Sequence, residues 1–219
     1  MHIMEGFLPL SHAVGWSAAS APFLAYGVHR LNRAWHDHPE QRMTWAAATG
    51  FMFVLTALKL PSVTGSSSHP TGTGLATGLL GPAIMPVLAA LVLLFQALLL
   101  AHGGLTTLGA NVFSLGVVGP LAAWAVFRPA RRLGAFPAVF LATLAANLAT
   151  YLTTAFQLGL AFPDPAGGVT AAVAKFAAIF APTQVPLAVA EGLLAGYVFQ
   201  LLRQHAPAWT NRVEGGQTP

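Results

Sequence analysis

Met1 and His2 together offer three nitrogens to one metal ion: the terminal amine, the His2 backbone nitrogen and the His2 Nδ1. The amine and the backbone nitrogen close a five-membered chelate ring, and the backbone nitrogen and imidazole close a six-membered one. Three corners of a plane are then set and one stays open. A planar four-nitrogen set suits Ni(II) or Cu(II), and also low-spin Co(II). The chelate needs Met1 to be retained, and a bulky residue at position 2 normally prevents its removal. His69 is the candidate for the open corner. It lies in a loop of small residues, Pro61 to Pro70, and Pro70 biases its backbone toward extended geometry. Neutral imidazole is a good ligand for late divalent metals. The chain has no cysteine, so thiolate ligation and disulfides are excluded.

A ligating imidazole usually gives its other N–H to a carboxylate, carbonyl or amide. Glu5, Ser67, Ser68, His102 and Asn111 are candidates for that supporting shell, and Met4 could supply an axial thioether. His12 is a weaker candidate. His36 and His38 read as a solvated polar loop. Glu191, inside the last apolar stretch, is an intramembrane carboxylate and so a functional candidate; the alternative is a hydrogen bond to Gln184 or a neighbouring helix.

These residues must be positioned by membrane helices. Of 219 residues, 55% are hydrophobic and only 7% charged, against about 25% charged in soluble domains. The chain is expected to be an all-α integral membrane protein. Six apolar spans stand out, roughly 11–29, 43–59, 83–101, 109–127, 135–160 and 180–202. The first 20 residues lack a basic start, carry Glu5 and are broken by Pro9, unlike a signal peptide.

Arginines set the orientation. Arg30, Arg33 and Arg42 flank one loop, Arg128, Arg131 and Arg132 another, and Arg203 and Arg212 mark the end of the chain. The positive-inside rule puts all three groups in the cytoplasm, and Met1 outside. The net charge of +4 thus reports topology, not nucleic-acid binding. Between Arg42 and Arg128 the crossings must be even in number, yet three long spans are visible. A short fourth is expected at 71–80, TGTGLATGLL, stopped by Gly81-Pro82. Seven helices result. The short one, broken at membrane depth, should be buried in protein or line a cavity. The loops 60–70, 102–108 and 161–175 then face outside, with Lys175 on a lip before the last span. Residues 1–205 read as one membrane domain and 206–219 as a polar cytoplasmic tail. Ala21 and Ala25, in the first span, form a small-xxx-small face suited to a partner helix.

The segments MHIMEGFLP at 1–9, LKLPSVTGSSSHPTGTGL at 58–75, LLFQALLLAHGGLTTLGANVFSLGVVGP at 93–120 and PTQVPLAVAEG at 182–192 carry a resemblance. The chain resembles the CbiM/NikM family, the cobalt and nickel substrate-binding components of energy-coupling factor transporters. The resemblance implies a six-helix core plus one extra N-terminal helix. It implies a Co(II) or Ni(II) ion as transported substrate, bound by the Met1 amine, the His2 amide and imidazole, and His69. It further implies a transmembrane coupling subunit, cytoplasmic ATPase subunits and a small accessory membrane subunit as partners in the cell inner membrane. Families of this kind supply cobalt for cobalamin synthesis, or nickel for nickel enzymes.

Two other function classes fit the residues less well. An intramembrane hydrolase using Ser68 and His69 is disfavoured, because chain neighbours point apart and neither HExxH nor GxSxG occurs. A stand-alone permease lacks a chain of intramembrane acids. The chain also has no GxxxxGK[ST], so ATP hydrolysis by a P-loop would belong to partners.

Overall fold

The computed structural model describes residues 1–61 and 66–210. The loop residues 62–65 and the tail from 211, including Arg212, lie outside the described residues.

Helices dominate, as an apolar chain with no water to satisfy its backbone requires. They are α1 (Leu10–Asp37), α2 (Arg42–Ala57), α3 (Thr73–Leu80), α4 (Met85–Leu100), α5 (Leu108–Val112), α6 (Gly119–Ala130), α7 (Ala135–Ala161) and α8 (Gly168–His205). A π-helical turn, Phe113–Val118, joins α5 to α6, so these two form one membrane helix. Seven membrane-embedded helices result, in agreement with the expected count. Among the described residues, three are long and apolar enough to cross a membrane by length and composition alone: Leu108–Leu133, Ala135–Ala161 and Gly168–His205. Large side chains such as Phe95, Leu99, Leu152, Phe156 and Tyr197 stay exposed on the helix surfaces, where a bilayer rather than water would cover them.

The short helix expected at 71–80 runs from Thr73 to Leu80, and all eight residues are buried. At about 1.5 Å per residue it covers only about 12 Å, so it cannot span alone and must be wrapped. It packs on α6 and α7. Gly72 starts it in the left-handed region, φ +69°, and a Cβ there would meet Met52 Cα at 2.8 Å. Only glycine satisfies both conditions.

Two expectations need correction. The last helix begins at Gly168, not near 180, so it takes up most of the expected outer loop 161–175. Lys175 lies within it and pairs with Asp164. The fold is also not purely helical. His2–Ile3 (β1), Leu60–Pro61 (β2) and Ser66–Ser68 (β3) form a small antiparallel sheet in the order β1-β3-β2. His2 lies opposite Ser67, and Ile3 opposite Ser66. This sheet is what docks the N-terminus.

Apolar burial holds it there. Met1 and Ile3, 1% and 0% exposed, join Leu8, Ala110, Tyr151, Leu158 and Phe180 in a second core cluster, separate from the main one between the helices. Each such side chain contributes about 1.5–3 kcal/mol on burial, which offsets the ordering of a chain terminus. On α1 the inward residues are Ala13, Ser20, Gly27 and Ala34, a stripe of small side chains at seven-residue spacing. Ala21 and Ala25 lie off this stripe and are exposed.

Candidate metal centre

Three segments far apart in sequence converge at the sheet: β1, the stretch after β3, and the turn between α4 and α5. They bring together His2, His69 and His102, which are 0%, 0% and 2% exposed. Their ring centroids are 4.1 Å (His2–His69), 4.6 Å (His2–His102) and 5.0 Å (His69–His102) apart. One ligand nitrogen from each lies within 4.8 Å of the others. An ion that takes nitrogens at about 2.0–2.1 Å spans at most about 4.2 Å between opposite donors, so modest side-chain rotations would close the set.

The hydrogen bonds decide which nitrogens are available. His69 Nδ1 donates to the Pro70 carbonyl at 2.7 Å. A carbonyl can only accept, so the proton is on Nδ1 and the lone pair on Nε2. His102 Nε2 is bonded to Ser67 Oγ at 2.8 Å. This leaves His2 Nδ1, His2 Nε2, His69 Nε2 and His102 Nδ1 buried with no hydrogen-bond partner. Buried polar atoms are nearly always partnered. Four orphans in one pocket are the chemical signature of a site built for a ligand.

Charge points the same way. Burial pulls the Met1 amine down to about 5, with Glu191 opposing. Burial also holds His2 and His69 well below the ordinary imidazole value, helped in His2 by His69 and in His69 by the amine. His102 is lowered to about 4, by burial first. All four groups are therefore neutral at neutral pH and keep their lone pairs. A neutral nitrogen set favours a soft to borderline divalent cation and disfavours Mg2+ or Ca2+, which take oxygen.

The supporting shell differs in part from the expectation. Asn111 holds β1 rather than an imidazole: its Oδ1 accepts from Ile3 N–H at 2.8 Å and its Nδ2 donates to the Ile3 carbonyl at 3.0 Å. Ser67 meets His102, as above. Ser68 turns away and bonds Thr183 Oγ1 at 2.9 Å. Glu5 is exposed and accepts from Thr106 N–H at 3.2 Å and from the Thr106 hydroxyl, which holds its carboxyl below the usual range. Its own N–H donates to the Gly103 carbonyl at 3.0 Å. Glu5 thus latches the N-terminal segment to the α4–α5 turn from outside. Met4 is 45% exposed, unlike the buried rings of the trio. His12 is not in the cluster. His36 and His38 end α1, His36 on the Asn32 carbonyl and His38 beside Glu40. Thr107, whose hydroxyl donates to the Ile3 carbonyl at 2.9 Å, escaped sequence reasoning; nothing in its type or spacing marks it out.

Glu191 is buried close to this pocket but is fully engaged. It accepts from Thr71 N–H and hydroxyl, both at 2.8 Å, from Gly72 N–H at 2.7 Å and from Asn147 Nδ2 at 2.7 Å. Gln184, the partner suggested by spacing, is not among them.

A polytopic α-helical membrane protein with a buried, nitrogen-only pocket at one end is the architecture of a membrane metal-handling protein. The sequence profile of the CbiM family, described as the cobalt uptake substrate-specific transmembrane region, matches residues 2–209. The chain belongs to that family. It is 62% identical over 205 residues to Cobalt transport protein CbiM 1 of Pelobacter propionicus, covering 92% of this chain and 90% of that protein. It is 55% identical over 215 residues to the Cobalt transport protein CbiM of Streptomyces coelicolor, covering 97% and 93%. The crystal structure of a truncated transition metal transporter superposes with a TM-score of 0.81 at 24% identity, over 94% of this chain and 99% of that one. At that identity the likeness speaks for the fold.

Proposed function

We propose that this chain captures Co(II) at the outer face of the cell membrane and presents it for ATP-driven uptake by partner subunits. The ligands are the Met1 amine, the His2 amide and Nδ1, and His69 Nε2, with Ser67 and His102 steadying the pocket. The observation that carries this reading is the set of orphaned imidazole nitrogens beside a buried, neutral amine. The family's uptake of cobalt supports the choice of ion. Ni(II) is the alternative, since the same four nitrogens accommodate both.

The absence of a P-loop motif supports a division of labour, with a transmembrane coupling subunit, two ATPases and a small accessory membrane subunit supplying energy and closure. The exposed Ala21–Ala25 face supports α1 as the surface that meets the coupling subunit. The arginine groups support an N-terminus outside and a C-terminal tail inside, and cobalamin synthesis is the natural consumer of the cobalt.

The test is metal analysis of purified protein loaded with Co(II) or Ni(II), alongside a form extended by one residue before Met1. One equivalent in the native form and none in the extended form is expected. Equal metal in both would end the four-nitrogen reading.

A further inference from the structure

Arg128, Arg131, Arg132 and Arg203 do more than fix an orientation. They converge on one cavity of about 520 Å3, at the end of α6, the start of α7 and the last turn of α8. It lies at the opposite end of the α5–α6 helix from the histidines. Its remaining wall is apolar and includes Phe127 and Phe199, both 2% exposed. No carboxylate lines it among the described residues.

A second, independent feature converges there. α7 begins on the rim, where its N-cap is Gly134 at φ +107°, a residue with no side chain to cap the first amides. Gly134 and Ala135 both line the cavity. Unpaired amides at the start of a helix, with the helix dipole behind them, favour an anion. Guanidinium groups bind phosphate oxygens in pairs. The arginines near the end of α1 have other surroundings: Arg30 and Arg33 line a smaller cavity that also holds the Asp37 carboxylate. Arg33 pairs with Asp37 at 3.4 Å, and Arg42 lies 4.7 Å over the Trp35 ring and donates to the Trp35 carbonyl. A preference for one side of the membrane explains both groups of arginines. It does not explain why one group surrounds an apolar-floored cavity with an uncapped helix on its rim.

We propose that this cavity holds the phosphate headgroup of an anionic phospholipid. The space is far larger than a phosphate ion needs. Its apolar floor suits the glycerol and first methylenes of a lipid, and its position at the helix ends is headgroup level. Basic pockets between membrane helices bind such headgroups.

The test is native mass spectrometry of the purified full chain in neutral detergent, titrated with phosphatidylglycerol or phosphatidylcholine, with inorganic phosphate as competitor. Phosphatidylglycerol should be retained and phosphatidylcholine lost. Arg132→Gln should weaken retention about fivefold and Arg128→Gln with Arg132→Gln by the product, at about fivefold per arginine near the membrane surface. Arg33→Gln should change nothing, and Co(II) binding should be untouched throughout. Equal retention of the two lipids, or unchanged retention in both variants, would overturn the proposal. So would displacement of the lipid by millimolar phosphate, which would mark a free-anion site. Should the double variant not fold, Arg132→Gln alone still decides, since its side chain is exposed.

Discussion

Glu191 and the histidine trio are buried almost equally, at 2% exposed or less, but their hydrogen bonding is opposite. Each Glu191 oxygen has two donors, from the start of α3 and from α7. The three rings leave four nitrogens without any. A carboxylate so saturated has no lone pair to spare for an ion; its work is to clamp α3 to α7 and α8. Each unpartnered nitrogen costs about 1–3 kcal/mol in a folded chain, and a metal ion bound as proposed removes that penalty at His2 Nδ1 and His69 Nε2. The lesson is that burial of a polar group does not identify a site. What marks the trio is leftover capacity on several rings whose nitrogens converge within 4.8 Å.

The largest expected effect tests the leftover capacity directly. One residue added before Met1, or His2→Ala, should abolish Co(II) binding while circular dichroism stays native, because the chelate loses its first or its third nitrogen. Full-strength binding in either would dissolve the contrast between the two clusters.

The converse belongs to Glu191. Glu191→Ala strands four buried donors, each worth about 1.5–3 kcal/mol when paired with a charge. A sharp fall in the thermal midpoint is expected, with metal binding following only as the fold is lost. Normal stability together with absent metal would make Glu191 part of the site instead of the frame.

Next come the single imidazoles. His69→Ala removes a proposed ligand and should weaken Co(II) by more than about 100-fold. His102→Ala removes a supporting group and should weaken it by about 10–100-fold, the range for outer-shell partners. Isothermal titration would order the two; the reverse order would make His102 a ligand. His38→Ala should be neutral.

Acid should act on stability before it acts on the ligand. The unfolded amine takes a proton near its ordinary value, about 8, whereas in the folded metal-free protein it does so only at about 5. Between those values the unfolded chain binds more protons, so stability falls as pH drops from about 8 to about 5. The buried imidazoles extend the loss from about 6.5 downward. Ordinary pKa values would put proton competition for the metal just below neutrality; burial moves it to about pH 5 and lower. Denaturant midpoints of the metal-free protein from pH 8 to 5 would check this, and a flat profile would contradict a buried neutral amine.

The smallest effect on either cluster is expected at the exposed face of α1. Ala21→Leu or Ala25→Leu should leave metal content and thermal midpoint unchanged but block uptake in vesicles with the partner subunits. Normal uptake in both would place the partner elsewhere.

The sequence was most legible where the chemistry is local. Met1 and His2 offer three nitrogens at chelate spacing through covalent geometry alone, so no tertiary fact was needed to see that capacity. Helix number followed from apolar run length and arginine parity, and α3 was recoverable because an odd crossing had to be placed somewhere. The small sheet was not legible, since strands of two or three residues carry no alternation to read. The early start of α8 was hidden by Pro163, Pro165, Gly167 and Gly168, which read as loop up to their very end. Glu5, Ser68 and Met4 carried the right chemistry in the right segments, but Glu5 and Ser68 bond elsewhere and Met4 is exposed. Only packing decided that His102 joins His2 and His69, and that His69 keeps Nε2 free by giving its Nδ1 proton to Pro70. An imidazole's remaining valence depends on what surrounds it. Those surroundings come from β1, the α4–α5 turn and α8, segments that meet only when the chain is folded.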